Sequence, residues 1–238
     1  MRILVIAAHP DDEILGMGGT IKKYTKKGHK VKVVFMATGI AARRSYSYTN
    51  SSSYETDIKT KKIMEVQITS LQKDAKKATK VVGVTDVEFV DFPDNEMDTV
   101  SNLEITKKIE EIIDRFNPSL VFTHSPHDIN IDHRILYNAT LTGTRPISNT
   151  NVNEVISYEV PSSTEWNFLS NFSPNIFVDI TKELPFKLRA MSAYKNEIRE
   201  FPHPRSFEAL ESISKRWGSV AGFKAAEAFS LVRRLKQV

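Results

Sequence analysis

Two short stretches of this sequence concentrate side chains that can bind a cation and move a proton. The first is His9-Pro10-Asp11-Asp12-Glu13, directly after the apolar run RILVIAA; the second runs from His124 through His127, Asp128, Asn130 and Asp132 to His133 and Arg134. His9 and Asp12 lie three residues apart at a strand-to-helix turn, and His133 comes from the second stretch. Two imidazoles and a carboxylate, with a fourth position left to water, are a usual donor set for catalytic zinc. Such an ion brings the pKa of a bound water to about 7. Asp11, beside a ligand, is placed to take that water's proton. The chemistry described is metal-assisted hydrolysis of a carbonyl compound.

Taken singly, these residues have plainer readings: His9 as a core histidine, Asp12 as a helix N-cap, His133 as a surface residue beside Arg134. Jointly those readings weaken. Three carboxylates and a histidine packed directly after a buried strand repel one another unless a cation is present.

The elements that must position these groups follow from hydropathy. RILVIAA reads as a short buried strand and KVKVVFMATG as a second, with a helix over 13–27 between them that ends at Gly28. This β-α-β opening signifies a parallel sheet. Further helices are expected over 59–82, 103–116, 132–142, 181–199 and 206–217, and further strands at VEFVDF, LVFTH, EVISYEV and NIFVDI. The expected fold is α/β: a Rossmann-like, open, mostly parallel sheet with helices on both faces, built as one domain over 1–238. Such sheets bind ligands beyond the carboxyl ends of their strands, where strand order reverses. Both polar clusters fall on that edge. The Ser- and Tyr-rich stretch 42–57 reads as a loop over the site or as an insertion without a role. Gly16, Gly18 and Gly19 read as helix-packing positions. In a dinucleotide-binding turn the glycines occupy the turn itself, whereas here Asp11, Asp12 and Glu13 would oppose a pyrophosphate.

Composition narrows the partners. The 238 residues include no cysteine and six histidines, so disulfides, thiolate metal sites and cysteine nucleophiles are excluded. The net charge of +4 is spread over lysines interleaved with acids, which describes solvated helix faces and no nucleic-acid partner. No apolar run approaches the ~20 residues of a membrane span, and the expected location is cytoplasmic.

The residues also resemble a family. AHPDDEILGMGG closely matches the N-terminal signature of the PIG-L/LmbE-like deacetylases, and NIDHR at 130–134 matches the second signature. Weaker similarity lies in FPDNEMD at 92–98, RPI at 145–147, FPHPRSFEAL at 201–210 and AEAF at 226–229. The resemblance implies Zn2+ held by His9, Asp12 and His133, with Asp11 as general base in the removal of an acetyl group from an N-acetylamino sugar or glycoconjugate precursor. It implies that Asp94 meets sugar hydroxyls, and it is compatible with a homo-oligomer.

Two positions depart from the family pattern. Asn130 stands where many relatives have a histidine thought to stabilise the oxyanion or act as an acid. An asparagine donates a hydrogen bond but transfers no proton, so Asp11 would serve both proton steps, with His127 or His203 as other imidazoles. Asp132 would then orient a neighbour as a hydrogen-bond acceptor. The second departure is at 71–74, where relatives often carry a substrate-binding arginine; Arg43 or Arg44 would take over. His203 reads as part of a rigid turn. Two other functions stay open at this level: cleavage of a larger thiol-sugar or peptide amide, and a non-catalytic carbohydrate- or nucleotide-binding module.

Overall fold

The computed structural model describes residues 1–39, 58–146 and 151–236. Arg43, Arg44 and the rest of the 42–57 stretch lie outside the described residues.

The opening run forms β1 (Arg2–Ala7), whose alternate side chains serve two cores. Ile3, Val5 and Ala7 pack on one face of the sheet, and Leu4, Ile6 and Ala8 on the other. A strand buried on both faces must be apolar throughout, as RILVIA is. From β1 the chain passes through α1 (Asp12–Lys26) to β2 (Lys30–Ala37), then α2 (Ile58–Val81) and β3 (Asp86–Phe92). It returns through α3 (Asn102–Phe116) to β4 (Leu120–His124) on the other side of β1, and through α4 (Ile131–Gly143) to β5 (Glu154–Tyr158). The last elements are β6 (Ile176–Asp179), α5 (Leu184–Met191), α6 (Phe207–Ala221) and β7 (Ala226–Arg234).

The seven-stranded sheet has the order β3-β2-β1-β4-β5-β7-β6. Strands β1 to β5 are parallel, and β7 runs antiparallel to both β5 and β6. Helices α1, α2, α5 and α6 supply residues to one core, and α3 and α4 to the other. Strand order therefore reverses between β1 and β4, and the two polar clusters emerge side by side there. Among the described residues no helix is long and apolar enough to cross a membrane.

Three elements differ from expectation: α6 continues to Ala221 beyond the expected end at 217, α5 is shorter than expected, and β7 was not expected as a strand. The helix expected over 181–199 stops at Met191, with Pro185 in its first turn; the turns that follow carry Tyr194 to Glu13 and Glu197 to Arg205. Tertiary partners outweigh local helical preference there. Strand β7 has no clean alternating signal because it buries a charge, Glu227, in its interior. The Glu227 carboxylate accepts Gly19 N–H at 3.0 Å, Thr20 N–H at 2.6 Å and Lys187 Nζ at 2.7 Å. Those amides lie just past Met17, where α1 leaves helical geometry (φ −147°), so Glu227 satisfies donors that the interruption frees. The α1 glycines pack as expected: a Cβ on Gly16 would lie 2.5 Å from the Glu159 carbonyl oxygen, and one on Gly19 would lie 2.9 Å from Ile180.

Candidate metal and active site

The turn from β1 into α1 carries His9, Asp11, Asp12 and Glu13, all buried. Asp11 initiates the helix from a left-handed conformation (φ 114°), its carbonyl accepting the amides of Ile14 and Leu15. A non-glycine residue there costs about 1–3 kcal/mol, a strain typical of functional turns. Asn130 caps α4: its side-chain oxygen accepts Asp132 N–H at 2.9 Å and its amide donates to Asn95 Oδ1 at 2.9 Å. This cap delivers His133 to the site from the first turn of α4.

His9, Asp12 and His133 each present one donor atom within 4.8 Å of the other two. Asp12 Oδ2 is 3.3 Å from His133 Nε2 and 3.5 Å from His9 Nδ1. Donors about 2.0–2.1 Å from a tetrahedrally bound zinc stand about 3.3 Å apart, so these spacings fit that ion. The remaining ring nitrogens complete the fit. His133 Nδ1 lies 2.9 Å from Asp128 Oδ2, and His9 Nε2 lies 3.0 Å from both Asp132 Oδ2 and Asp94 Oδ1. Carboxylates at those atoms hold one ring proton there, so His133 Nε2 and His9 Nδ1, which face Asp12, are the nitrogens whose protons a metal would displace. His133 Nε2 is buried without a hydrogen bond of good geometry.

The electrostatics also favour a cation. Burial disfavours protonation of His9, yet Asp12, Asp132 and Asp94 outweigh it and raise its pKa well above the usual value. His133 is likewise opposed by burial but pushed up to about 9 by Asp12 and Asp128. Without a metal, protons occupy the place of the positive charge. Burial pushes the Asp11 carboxyl up to about 7 against the pull of Arg205, in the range suited to a general base near neutrality. Glu13 is pushed up to about 8 by burial; it accepts Asp11 N–H and the Tyr194 hydroxyl.

The other expected site residues are placed as follows. Asp132 accepts the Asn95 and Met97 amides and stands 3.0 Å from His9 Nε2. Asp94, expected at the sugar, stands against His9 Nε2. His127 pairs with Ser170 Oγ at 2.5 Å, and His203 Nδ1 accepts Arg205 N–H within its turn. Arg44 lies outside the described residues.

Three residues given no role in the sequence reading belong to the site. His124, fully buried, stacks on His133 with ring centroids 3.9 Å apart, and its Nε2 accepts Ala8 N–H. Asp128 Oδ2 also accepts Ser163 Oγ at 2.8 Å and Thr164 Oγ1 at 2.9 Å. Arg205 pairs with Asp11 at 2.9 Å. Asp128 lay within the second cluster and Arg205 within FPHPRSFEAL, so both were visible as motif members without a partner to explain them.

Residues 4–143 match the PIG-L family profile, described as GlcNAc-PI de-N-acetylase. The diacetylchitobiose deacetylase of Thermococcus kodakarensis is 28% identical over 240 residues, covering 97% of this chain and 83% of that protein. The N,N'-diacetylchitobiose deacetylase of Pyrococcus horikoshii, solved with an inhibitor, superposes with a TM-score of 0.74 at 22% identity, covering 98% of this chain and 84% of that one. A 4-carboxy-2-hydroxymuconate hydratase from Pseudomonas putida superposes with a TM-score of 0.72 at 20% identity, covering 100% of this chain and 98% of that one. One fold thus carries more than one reaction, and chemistry must be argued from side chains.

Proposed function

The chain belongs to the PIG-L, GlcNAc-PI de-N-acetylase family, and on that premise we propose that it is a zinc-dependent N-deacetylase of an N-acetylamino sugar or glycoconjugate. The observation that carries this reading is the pair of histidines whose outer nitrogens meet carboxylates while their inner nitrogens converge on Asp12. Zinc bound by His9, Asp12 and His133 would polarise the acetamide carbonyl and acidify a water. Asp11, adjacent to Asp12 and buried, takes a proton from the attacking water and returns it to the departing amine. Asn130 is engaged in capping α4 and in its bond to Asn95, and an amide transfers no proton, so both proton steps fall to Asp11. Asp132 and Asp128 keep the two imidazoles in the tautomers that bind metal. Asp94, Arg44 and His127 would meet the sugar, with Asp94 also fastening His9. The diacetylchitobiose deacetylase relative supports a neutral amino-sugar substrate.

The test is metal content by elemental mass spectrometry after zinc loading, followed by acetate release from N-acetylglucosamine and N,N'-diacetylchitobiose. We expect about one zinc per chain, as for a site of one His-Asp-His set. His133→Ala is expected to lose zinc and activity together. Asp11→Asn should keep zinc while losing activity by ~10²–10⁴-fold, the usual worth of general acid–base catalysis. Release of a larger acyl acid instead of acetate would move the reading to amide conjugates, and sugar binding without turnover would make the protein a binding module.

A further inference from the structure

Arg205 lies one residue before the Ser206 cap of α6, and its guanidinium reaches back to the turn after β1. Its Nη1 stands 2.9 Å from Asp11 Oδ2 and 3.1 Å from Glu197 Oε2, while Nε donates to Ser162 Oγ at 2.8 Å. We propose that Arg205 is a positioning residue for Asp11, holding its carboxylate in the orientation needed for proton transfer; the proposal rests on the reading of Asp11 as the base.

Three observations carry it. First, Asp11 needs an external anchor. It sits at φ 114° in a turn and contributes only its backbone to the start of α1; its Oδ2 is buried without a hydrogen bond, and among the described residues the ion pair with Arg205 is the carboxylate's one charge contact within 4.0 Å. Second, the anchor is itself fixed. A guanidinium is a planar fork, and one held at Nε by Ser162 and at Nη1 by Glu197 has its plane and reach defined before it meets Asp11. Third, the support is shared with the metal-binding side. Ser162 is followed by Ser163 and Thr164, whose hydroxyls hold Asp128 and, through it, His133. One three-residue stretch after β5 thereby sets the base and a metal-binding imidazole relative to each other. An exposed Arg–Asp pair would contribute little, but the Asp11 side chain is 2% exposed and that of Arg205 is 26% exposed, so water competes poorly for the contact.

The experiment is steady-state acetate release by the zinc-loaded full chain, with N,N'-diacetylchitobiose as probe, alongside zinc content and thermal midpoint. The variants are Arg205→Ala, Arg205→Gln, Asp11→Asn and the Arg205→Ala/Asp11→Asn double variant. We expect Arg205→Ala to lower kcat by about 10²-fold, the scale of an ångström-sized misplacement, with KM and zinc content unchanged. Free guanidinium at millimolar concentration should recover part of that loss in Arg205→Ala and none in the double variant, a response that a merely structural role would not give. Wild-type kcat in Arg205→Ala, or a loss that tracks loss of zinc, overturns the proposal. If Arg205→Ala does not fold, Arg205→Gln carries the same comparison of kcat, KM and zinc, and wild-type kcat there overturns the proposal equally. Full activity in Asp11→Asn would instead overturn the reading of Asp11 as base, a result distinct from any obtained at position 205.

Discussion

Asp128 does not reach His133 Nε2, yet by engaging Nδ1 it sets which nitrogen is turned toward Asp12. Its Oδ2 accepts three donors, His133 Nδ1, Ser163 Oγ and Thr164 Oγ1. A carboxylate accepts only, so one imidazole proton is held at Nδ1, and Nε2, turned toward Asp12, is the nitrogen that would lose its proton to bind a metal. An asparagine can turn its NH2 toward Nδ1 and leave the proton on Nε2, which cannot then bind metal. Asp128→Asn should therefore weaken zinc binding by about 10–100-fold, as loss of such supporting contacts does. Competition with a chromophoric chelator measures this, and wild-type affinity in the variant would show that another group sets the tautomer. The burial that raises Asp11 to about 7 and Glu13 to about 8 acts at the same scale: in Asp12, between them, the pull of His133, His9 and His124 outweighs burial and holds the carboxyl well below the usual value.

At the scale of elements, the site depends on the angle at which α1 leaves β1. Gly16 lets α1 lie against the end of β5, and beyond the interruption at Met17 the helix is restarted by Glu227 reaching from β7. Glu227 and Lys187 form a buried pair, with side chains 2% and 5% exposed. Breaking such a pair from one side leaves a buried charge alone, which costs roughly 3–5 kcal/mol. Glu227→Gln is expected to destabilise the chain by about 3 kcal/mol, read from the urea midpoint, because Lys187 is left unpaired and one α1 amide then faces an NH2 group. Adding Lys187→Met should restore part of the loss; a double variant less stable than Glu227→Gln would argue against the pair. The same pair explains why the last strand was hidden: a buried glutamate with two backbone amides and a lysine as partners does not look like a core position in a hydropathy pattern.

Across the whole molecule, the site stores positive charge that a metal would replace. Folding raises the pKa of Asp11 from 3.8 to about 7, of Glu13 from 4.5 to about 8, and of His133 from 6.5 to about 9. Each group binds its proton more tightly in the folded chain. Its contribution to stability is complete below the unfolded value and is lost as pH rises through the folded one. Asp12 and Asp128, whose pKa values fall below the usual carboxylate value, are already ionised across that window and add no slope. The metal-free protein should therefore melt at progressively lower temperature between pH 6.5 and 9. Zinc binding requires the same donors deprotonated, so the rise in melting temperature on adding zinc should grow over that interval. Differential scanning fluorimetry of the two forms across the range checks both slopes. A metal-free melting temperature that holds level or climbs would mean that the histidines are not protonated in the folded apo-protein.

The polar clusters and the sheet edge on which they fall are legible in the chain itself. RILVIAA and LVFTH are apolar runs that can only be buried strands, each ends in a polar cluster, and a β-α-β opening puts both ends on one edge. The types of the grouped side chains at His9, Asp12 and His133, and the carboxylate of Asp11 beside them, are carried by local spacing. Tertiary contacts set the rest: that His133 turns Nε2 and His9 turns Nδ1 toward Asp12, that Asp94 stands on His9, that Asn130 spends its side chain on a cap, and that Arg205 closes on Asp11 from a turn near the other end of the chain. The reason is physical. A side chain's type is carried by its own position, but its tautomer, ionisation and orientation are set by neighbours, and here those neighbours come from segments joined only when the sheet assembles.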